Sequence, residues 1–249
     1  MKQFLFVTDL DNTLVGDKEA LYKLNKILDK HRRSWGTRIV YATGRSLTLY
    51  KQLTEEESLL EPDALITSVG TEIYLNTKTC TVYSEWSEKL SSGWNRNFIT
   101  EVAKKYAQLV PQKQSEQGLF KVSYLISEKD APKILPKLRA ELESNSLKFN
   151  LIYSGGKDLD ILPFDADKGS AVKYLQKKWE IDSYRTVVCG DSGNDIALFN
   201  NGEQRGIIVG NARTELLEWH NINSTDYHYL AEASYADGIM EGLKYFNFL

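Results

Sequence analysis

Short apolar runs rich in β-branched and aromatic residues alternate along the chain with longer stretches whose apolar positions recur every three or four residues. Phe4–Thr8, Arg38–Ala42 and Ala64–Ser68 predict strands, whereas Leu21, Leu24 and Leu28 fall at helical spacing and a second helix is predicted from about Ser46. The same order resumes late in the chain, with a helix from about Gly169 to Trp179, a strand over Thr186–Cys189, a helix from about Asn194, a strand over Gly206–Val209 and a last helix over Ala236–Tyr245. Strands alternating with helices predict a parallel sheet with crossover helices, and in such sheets ligands gather at the carboxyl ends of the strands.

Between these two sections the pattern changes. A helix around Trp94–Leu109 is followed by the polar connector Pro111–Gly118, a strand over Phe120–Ile126, a helix around Pro132–Leu142, and two adjacent strands over Leu147–Tyr153 and Leu159–Leu162. Adjacent strands mixed with helices predict a compact α+β unit. The expected organisation is therefore a discontinuous core, residues 1–84 and 165–249, with residues 85–164 inserted as a lid.

With 249 residues, 42% of them hydrophobic, the chain can bury a sizeable core. A net charge of −3, with Lys and Arg scattered, disfavours a polyanionic partner such as nucleic acid and leaves small substrates as the default. Cys80 and Cys189 are the only cysteines and lie far apart, which predicts neither a disulfide framework nor a zinc site. No run approaches the roughly 18 apolar residues of a membrane span, and the N-terminal run is too short for a signal peptide, so a soluble, cytoplasmic protein is expected.

Four constellations fall at the expected carboxyl ends of strands. Asp9 and Asp11 end the first strand; as a repelling pair they call for a cation, and as ordinary turn or cap residues they would need none. Thr43, Gly44 and Arg45 join the second strand to a helix, where a hydroxyl and free N–H groups can hold a phosphoryl oxygen or simply start the helix with Ser46 as cap. Lys168 opens a later helix, as a fixed positive charge or as a solvated surface side chain. Gly190-Asp-Ser-Gly-Asn-Asp195 carries Asp191, Asn194 and Asp195, more oxygen ligands than a cap requires, and such hard donors suit magnesium. His31, His220 and His228 lie outside all four and are expected to be structural, on surface helices or loops.

In this combination and order, Asp9-Leu-Asp-Asn-Thr13, Thr43-Gly44-Arg45, Lys168 and Gly190–Asp195 resemble the four motifs of the haloacid dehalogenase superfamily of phosphatases. The resemblance implies an α/β fold, a Rossmann-like parallel-sheet core with an inserted α+β cap domain. Tyr41–Ser46, Val69-Gly-Thr-Glu-Ile-Tyr74, Ser154-Gly-Gly-Lys-Asp158 and the Asn247-Phe-Leu249 ending narrow it, since together they resemble the bacterial sucrose-6-phosphate phosphatases, the single-domain cyanobacterial form in particular.

That likeness implies Asp9 as nucleophile, Asp11 as acid/base, and Mg²⁺ held by Asp9, the Asp11 carbonyl and Asp191 with Asp195 behind. Thr43, Lys168 and Asn194 would hold phosphoryl oxygens, with Gly44 and Arg45 beside them, while Gly70, Thr71, Glu72, Ser154, Lys157 and Asp158 would meet the sugar. The implied substrate is a sugar phosphate, sucrose 6-phosphate first. The alternatives are glucosylglycerol phosphate or mannosylglycerate phosphate, or a silent protein that docks on a sucrose-phosphate synthase.

Overall fold

The computed structural model describes residues 3–145, 147–200 and 202–249. The first expected strand forms as β1 (Leu5–Thr8), its Phe6 facing one apolar layer and Leu5 and Val7 the other, as a strand buried on both faces must. It is followed by α1 (Lys18–Trp35), β2 (Arg38–Ala42), α2 (Leu47–Glu56), β3 (Ala64–Thr67) and the short β4 (Glu72–Tyr74). In α1 the buried positions Ala20, Leu21, Leu24, Leu28 and His31 form one stripe, and Asp17 starts the helix by accepting the Ala20 N–H at 2.9 Å.

The inserted segment contributes α3 (Ser84–Ser91), α4 (Arg96–Ala103), β5 (Val110–Pro111), β6 (Val122–Leu125), α5 (Ala131–Ser144), β7 (Phe149–Ser154) and β8 (Asp158–Pro163). The chain then completes α6 (Lys168–Trp179), β9 (Thr186–Gly190), α7 (Ile196–Phe199), β10 (Arg205–Ile208), α8 (Thr214–Asn223), β11 (His228–Leu230) and α9 (Tyr235–Tyr245).

Seven strands make the larger sheet in the order β11-β10-β9-β1-β2-β3-β4, parallel except for the β3–β4 edge pair. Helices α1, α2 and α9 cover one face of it, and α3, α6, α7 and α8 supply apolar residues to the other. Because β1 lies at the centre, between β2 and β9, the carboxyl ends of three neighbouring strands bring the motifs around Asp9, Thr43 and Asp191 together.

The second sheet is antiparallel, order β5-β6-β8-β7, with α4 and α5 packed on one face through Ile99, Val102, Leu138 and Leu142. Strand β8 alternates accordingly. Leu159 and Ile161 point into that apolar layer, whereas Asp158 and Asp160 point the other way.

Several expectations need correction. The helix expected over Trp94–Leu109 starts at Arg96, capped by the Asn95 side chain, and ends at Ala103; residues up to Leu109 continue as tight turns. Helix α3 was not separately expected, and its Trp86 and Leu90 pack with the larger sheet rather than with the inserted one. Strands β4 and β11 are three residues each, too short to show a period, and α8 mixes Leu216, Trp219 and His220 with polar neighbours in no clear stripe. His31 and His220 are buried, not at the surface: His31 faces the Thr37 hydroxyl and the Phe4 ring, and His220 packs beside His228. No helix among the described residues is long and apolar enough to cross a membrane.

Candidate active site

After β1 the chain must turn at once, and three successive N–H groups, from Thr13, Leu14 and Val15, converge on the Leu10 carbonyl. Asn12 takes the left-handed conformation that asparagine tolerates. This turn leaves Asp9 at the strand end, buried, and Asp11 two residues on at the mouth of a cleft.

Lys168 occupies the centre. Its ammonium donates to Asp9 Oδ1 and to Asp195 Oδ1, each at 2.7 Å, and its side chain is fully buried. Burial works to lower the Lys168 pKa, but Asp195 and Asp9 raise it and prevail, so the group stays charged. Its placement depends on Gly70. A side chain there, at φ 94°, would collide with the Asp167 backbone at 2.2 Å, so only glycine lets the start of α6 pass. The sequence thus placed Gly70 at the sugar, whereas the structure uses it to seat the lysine.

Asp195 accepts the Asp191 and Ser192 N–H groups with its second oxygen, at 3.0 and 3.1 Å, so both of its oxygens are engaged. Asp191 accepts from the Thr13 hydroxyl at 3.0 Å, which ties the β1 and β9 loops together. Burial, and then the neighbouring Asp195, push the Asp191 carboxyl up to about 7. Burial likewise raises Asp9 well above the usual range, against the lowering by Lys168 and with Asp195 and Asp191 adding to the rise.

One carboxylate oxygen from each of Asp9, Asp191 and Asp195 lies within 4.8 Å of the other two. Among the described residues, three buried carboxyl groups crowd one ammonium in contact, as hard oxygen donors whose ionised forms call for a further cation, and the Asn194 Oδ1 nearby is buried without a partner among the described residues. This donor set fits a hard divalent cation.

On the other side, Thr43 is buried; its hydroxyl oxygen accepts the Arg45 N–H at 3.1 Å and keeps its own hydrogen to donate. Arg45 holds both oxygens of Asp11 at 2.7 Å in a two-pronged pair. Ser46 caps α2 as expected.

Above these groups lies a cleft of about 370 Å³. Asp9, Asp11, Gly44, Arg45, Asp191 and Asn194 line its floor, and Ser154, Lys157 and Asp158 reach it from the inserted sheet. Burial raises the Asp158 carboxyl above its usual range, with Lys157 opposing. Thr71 and Glu72 do not reach the cleft. Thr71 donates to the Ser68 carbonyl, and Glu72 accepts the Thr67 and Tyr74 hydroxyls with its Oε2, inside the core sheet.

Gln112, Glu116, Lys121, Asp160 and Arg213 also line the cleft and were missed in the sequence. Lys121 is 3% exposed, donates to the Gly44 carbonyl at 3.2 Å, and faces Asp160 at 3.6 Å and Glu116 at 3.8 Å. The available signal was alternation: Lys121 and Ser123 in one apolar run, Asp158 and Asp160 in another, put polar groups on one face of each strand.

The family model described as sucrose-6F-phosphate phosphohydrolase matches residues 2–247. Sucrose-phosphatase 1 of Nicotiana tabacum is 38% identical over 255 residues, 98% of this chain, which spans only 59% of that relative's length. A mannosylfructose-phosphate phosphatase of Agrobacterium fabrum is 33% identical over 97% of this chain and 96% of its own. Among solved structures, the sucrose-phosphatase of Synechocystis sp. PCC6803, in complex with sucrose and phosphate, superposes with a TM-score of 0.93 at 38% identity, covering 99% of each chain. A haloacid dehalogenase-like hydrolase protein of Bacillus subtilis, 19% identical, shares the fold with a TM-score of 0.69. With the motif residues assembled at adjacent strand ends and the match running over almost its whole length, the chain belongs to the sucrose-6F-phosphate phosphohydrolase family.

Proposed function

We propose that this chain is a Mg²⁺-dependent phosphatase that hydrolyses sucrose 6-phosphate to sucrose and phosphate, with residues 1–84 and 165–249 as catalytic core and 85–164 as cap, except that α3 at the start of that segment packs on the core sheet. The observation that carries this reading is the buried Asp9–Lys168–Asp195 array beneath a cleft whose roof is the polar face of the inserted sheet. An array that makes a buried carboxylate available next to a fixed cation suits attack on a phosphate ester, and a roof of alternating Asp, Ser and Lys suits a polyhydroxyl group.

In the proposed reaction an Asp9 oxygen attacks phosphorus and the bond to the sugar oxygen breaks. Asp11 gives that oxygen a proton, leaving an aspartyl-phosphate. Asp11 then takes a proton from a water that attacks the same phosphorus, and the bond to Asp9 breaks. Arg45 keeps Asp11 at the cleft mouth and must yield it to the leaving oxygen. Lys168, the Thr43 hydroxyl and the Asn194 amide donate to phosphoryl oxygens, where charge accumulates. Asp9, Asp191 and the Asp11 carbonyl would hold Mg²⁺, with Asp195 positioning the loop through its two N–H contacts. When bound, the ion would neutralise the repulsion between the phosphate dianion and Asp9.

Lys157 and Asp158, with Lys121 and Asp160, would read the sugar. A second reading, the phosphate of mannosylfructose, follows from the relative that acts on it, since the phosphate-facing residues are indifferent to the alcohol. A silent docking role is disfavoured by the complete Asp9, Asp11, Lys168 and Asp191 set. The deciding experiment is phosphate release with Mg²⁺ from sucrose 6-phosphate, mannosylfructose phosphate, glucosylglycerol phosphate, mannosylglycerate phosphate and p-nitrophenyl phosphate. The highest kcat/KM is expected for sucrose 6-phosphate; preference for another ester, or no release, overturns the assignment.

A further inference from the structure

Glu215 stands in the first turn of α8, outside every motif of the reaction just described. Its Oε1 accepts the Gly155 N–H at 2.9 Å, across 60 residues of sequence and across the boundary between the two sheets. Among the described residues, that backbone N–H is the hydrogen-bond donor to its carboxylate. Gly155 belongs to the Ser154–Asp158 turn between β7 and β8, the turn that carries Lys157 and Asp158 into the cleft.

The start of α8 is also fastened to the acidic loop. Arg213, just before the helix, donates its backbone N–H to the Asp191 carbonyl at 2.7 Å. Gly193 of that loop lies under the same junction. A Cβ there would stand 2.9 Å from the Tyr153 carbonyl oxygen and 3.0 Å from Glu215 Cγ, so a side chain would wedge the three segments apart. The contact is narrow, with the main cleft on one side and a second cavity of about 420 Å³, lined by Asn12, Glu128, Gly156, Asn211 and Glu215, on the other. Across the main cleft, the Lys121 bond to Gly44 makes the matching contact.

We propose that Glu215 is a positioning residue for substrate recognition: by holding the Gly155 N–H, it seats the Ser154–Asp158 turn on the acidic loop and so fixes Lys157 and Asp158 relative to the phosphoryl site. The proposal rests on the phosphatase reading above. An ionised acceptor on a backbone N–H is among the stronger single hydrogen bonds, and a turn released from it would sample positions in which the sugar groups are not met. A generic ester with no sugar does not use the turn.

The test compares wild type, Glu215→Ala and Glu215→Gln in the full chain, by steady-state kinetics on sucrose 6-phosphate and p-nitrophenyl phosphate and by amide hydrogen exchange at Gly155. Glu215→Ala is expected to raise KM for sucrose 6-phosphate about tenfold, with kcat/KM for p-nitrophenyl phosphate within about twofold of wild type and Gly155 exchange faster. Glu215→Gln, which keeps the acceptor oxygen, is expected to recover most of the loss. If Glu215→Ala fails to fold, Glu215→Asp, one methylene too short to reach, takes its place.

Unchanged KM and exchange overturn the proposal, as do equal losses on both substrates that Gln does not repair. If the wild-type chain shows no preference for sucrose 6-phosphate, the substrate assignment has failed. Exchange then decides the Glu215 contact by itself, faster exchange in the Ala variant upholding it and unchanged exchange refuting it.

Discussion

Lys168 Nζ lies 2.7 Å from carboxylates of both Asp9 and Asp195 with no exposure to solvent, so its removal would leave two buried anions facing each other. Breaking a buried pair by deleting one partner costs about 3 to 5 kcal/mol, more than the net worth of the pair, because the remaining charge cannot be resolvated. Lys168→Met is accordingly expected to lose about 3 kcal/mol or more in urea unfolding of chelated protein at neutral pH; wild-type stability would show that the carboxylates find another partner. Asp9→Asn behaves differently. It keeps the shape and removes one of the crowded charges, so folding should persist while turnover of sucrose 6-phosphate falls by at least about a thousandfold. Near-normal hydrolysis by the purified variant would exclude the covalent route.

Strand β8 shows how one element serves two layers. Leu159 and Ile161 seal the inserted domain against α4 and α5, and Asp158 and Asp160, one residue out of phase, face the cleft. Lys157 stands in the turn just before β8 and is exposed, so it can change with little effect on packing. Lys157→Ala is expected to lower kcat/KM for sucrose 6-phosphate by about tenfold or more, and to leave p-nitrophenyl phosphate nearly unaffected, since a site built to bond hydroxyls suffers most when a directed donor is lost. Equal losses on the two esters would assign Lys157 to the fold instead. Glu72 supplies the contrast. Its carboxylate accepts from Thr67 and Tyr74 within β3 and β4, so Glu72→Ala should lower the melting temperature without changing the ratio of the two activities.

Across the whole molecule, buried histidines set a pH dependence distinct from that of the active site. Burial lowers the pKa of His220, with His228 adding to the effect, so its folded value lies below the unfolded one near 6.5. Below that pH the unfolded chain binds more protons than the native one. The His220 contribution is thus fully present above about pH 6.5 and is lost as pH falls through the folded value. Relative to wild type, a His220→Gln variant should gain in melting temperature between pH 7.5 and 5, and a constant difference would place His220 in contact with solvent. The carboxylate array makes its own demand on the molecule. Chelation should abolish activity reversibly, Mg²⁺ should restore it, and Ca²⁺, which prefers more ligands and longer bonds, should not; full activity in chelator would refute the metal assignment.

The sequence by itself determined five of the seven strands of the larger sheet and most of its helices, because these rest on local signals of period and strand ends; Asp9, Thr43, Lys168, Asp191 and Asp195 stood at those ends, and their expected roles came from the likeness to a known family. It also separated two adjacent strands around Ser154–Asp158, where the turn between β7 and β8 lies. Tertiary structure decided the rest. Lys121 and Arg213 are far in sequence from every motif and reach the cleft only because the inserted sheet folds over the core and α8 starts beside the Asp191 loop. Gly70 and Glu72 sit in a string that resembles sugar-binding residues, yet their roles are fixed by what passes next to them, the Asp167 backbone and the Tyr74 hydroxyl. The Glu215 bond to Gly155 has no local signature at all, since neither an acidic residue in a first helical turn nor a glycine in a hairpin is unusual, and their meeting depends on how two separately stabilised layers dock.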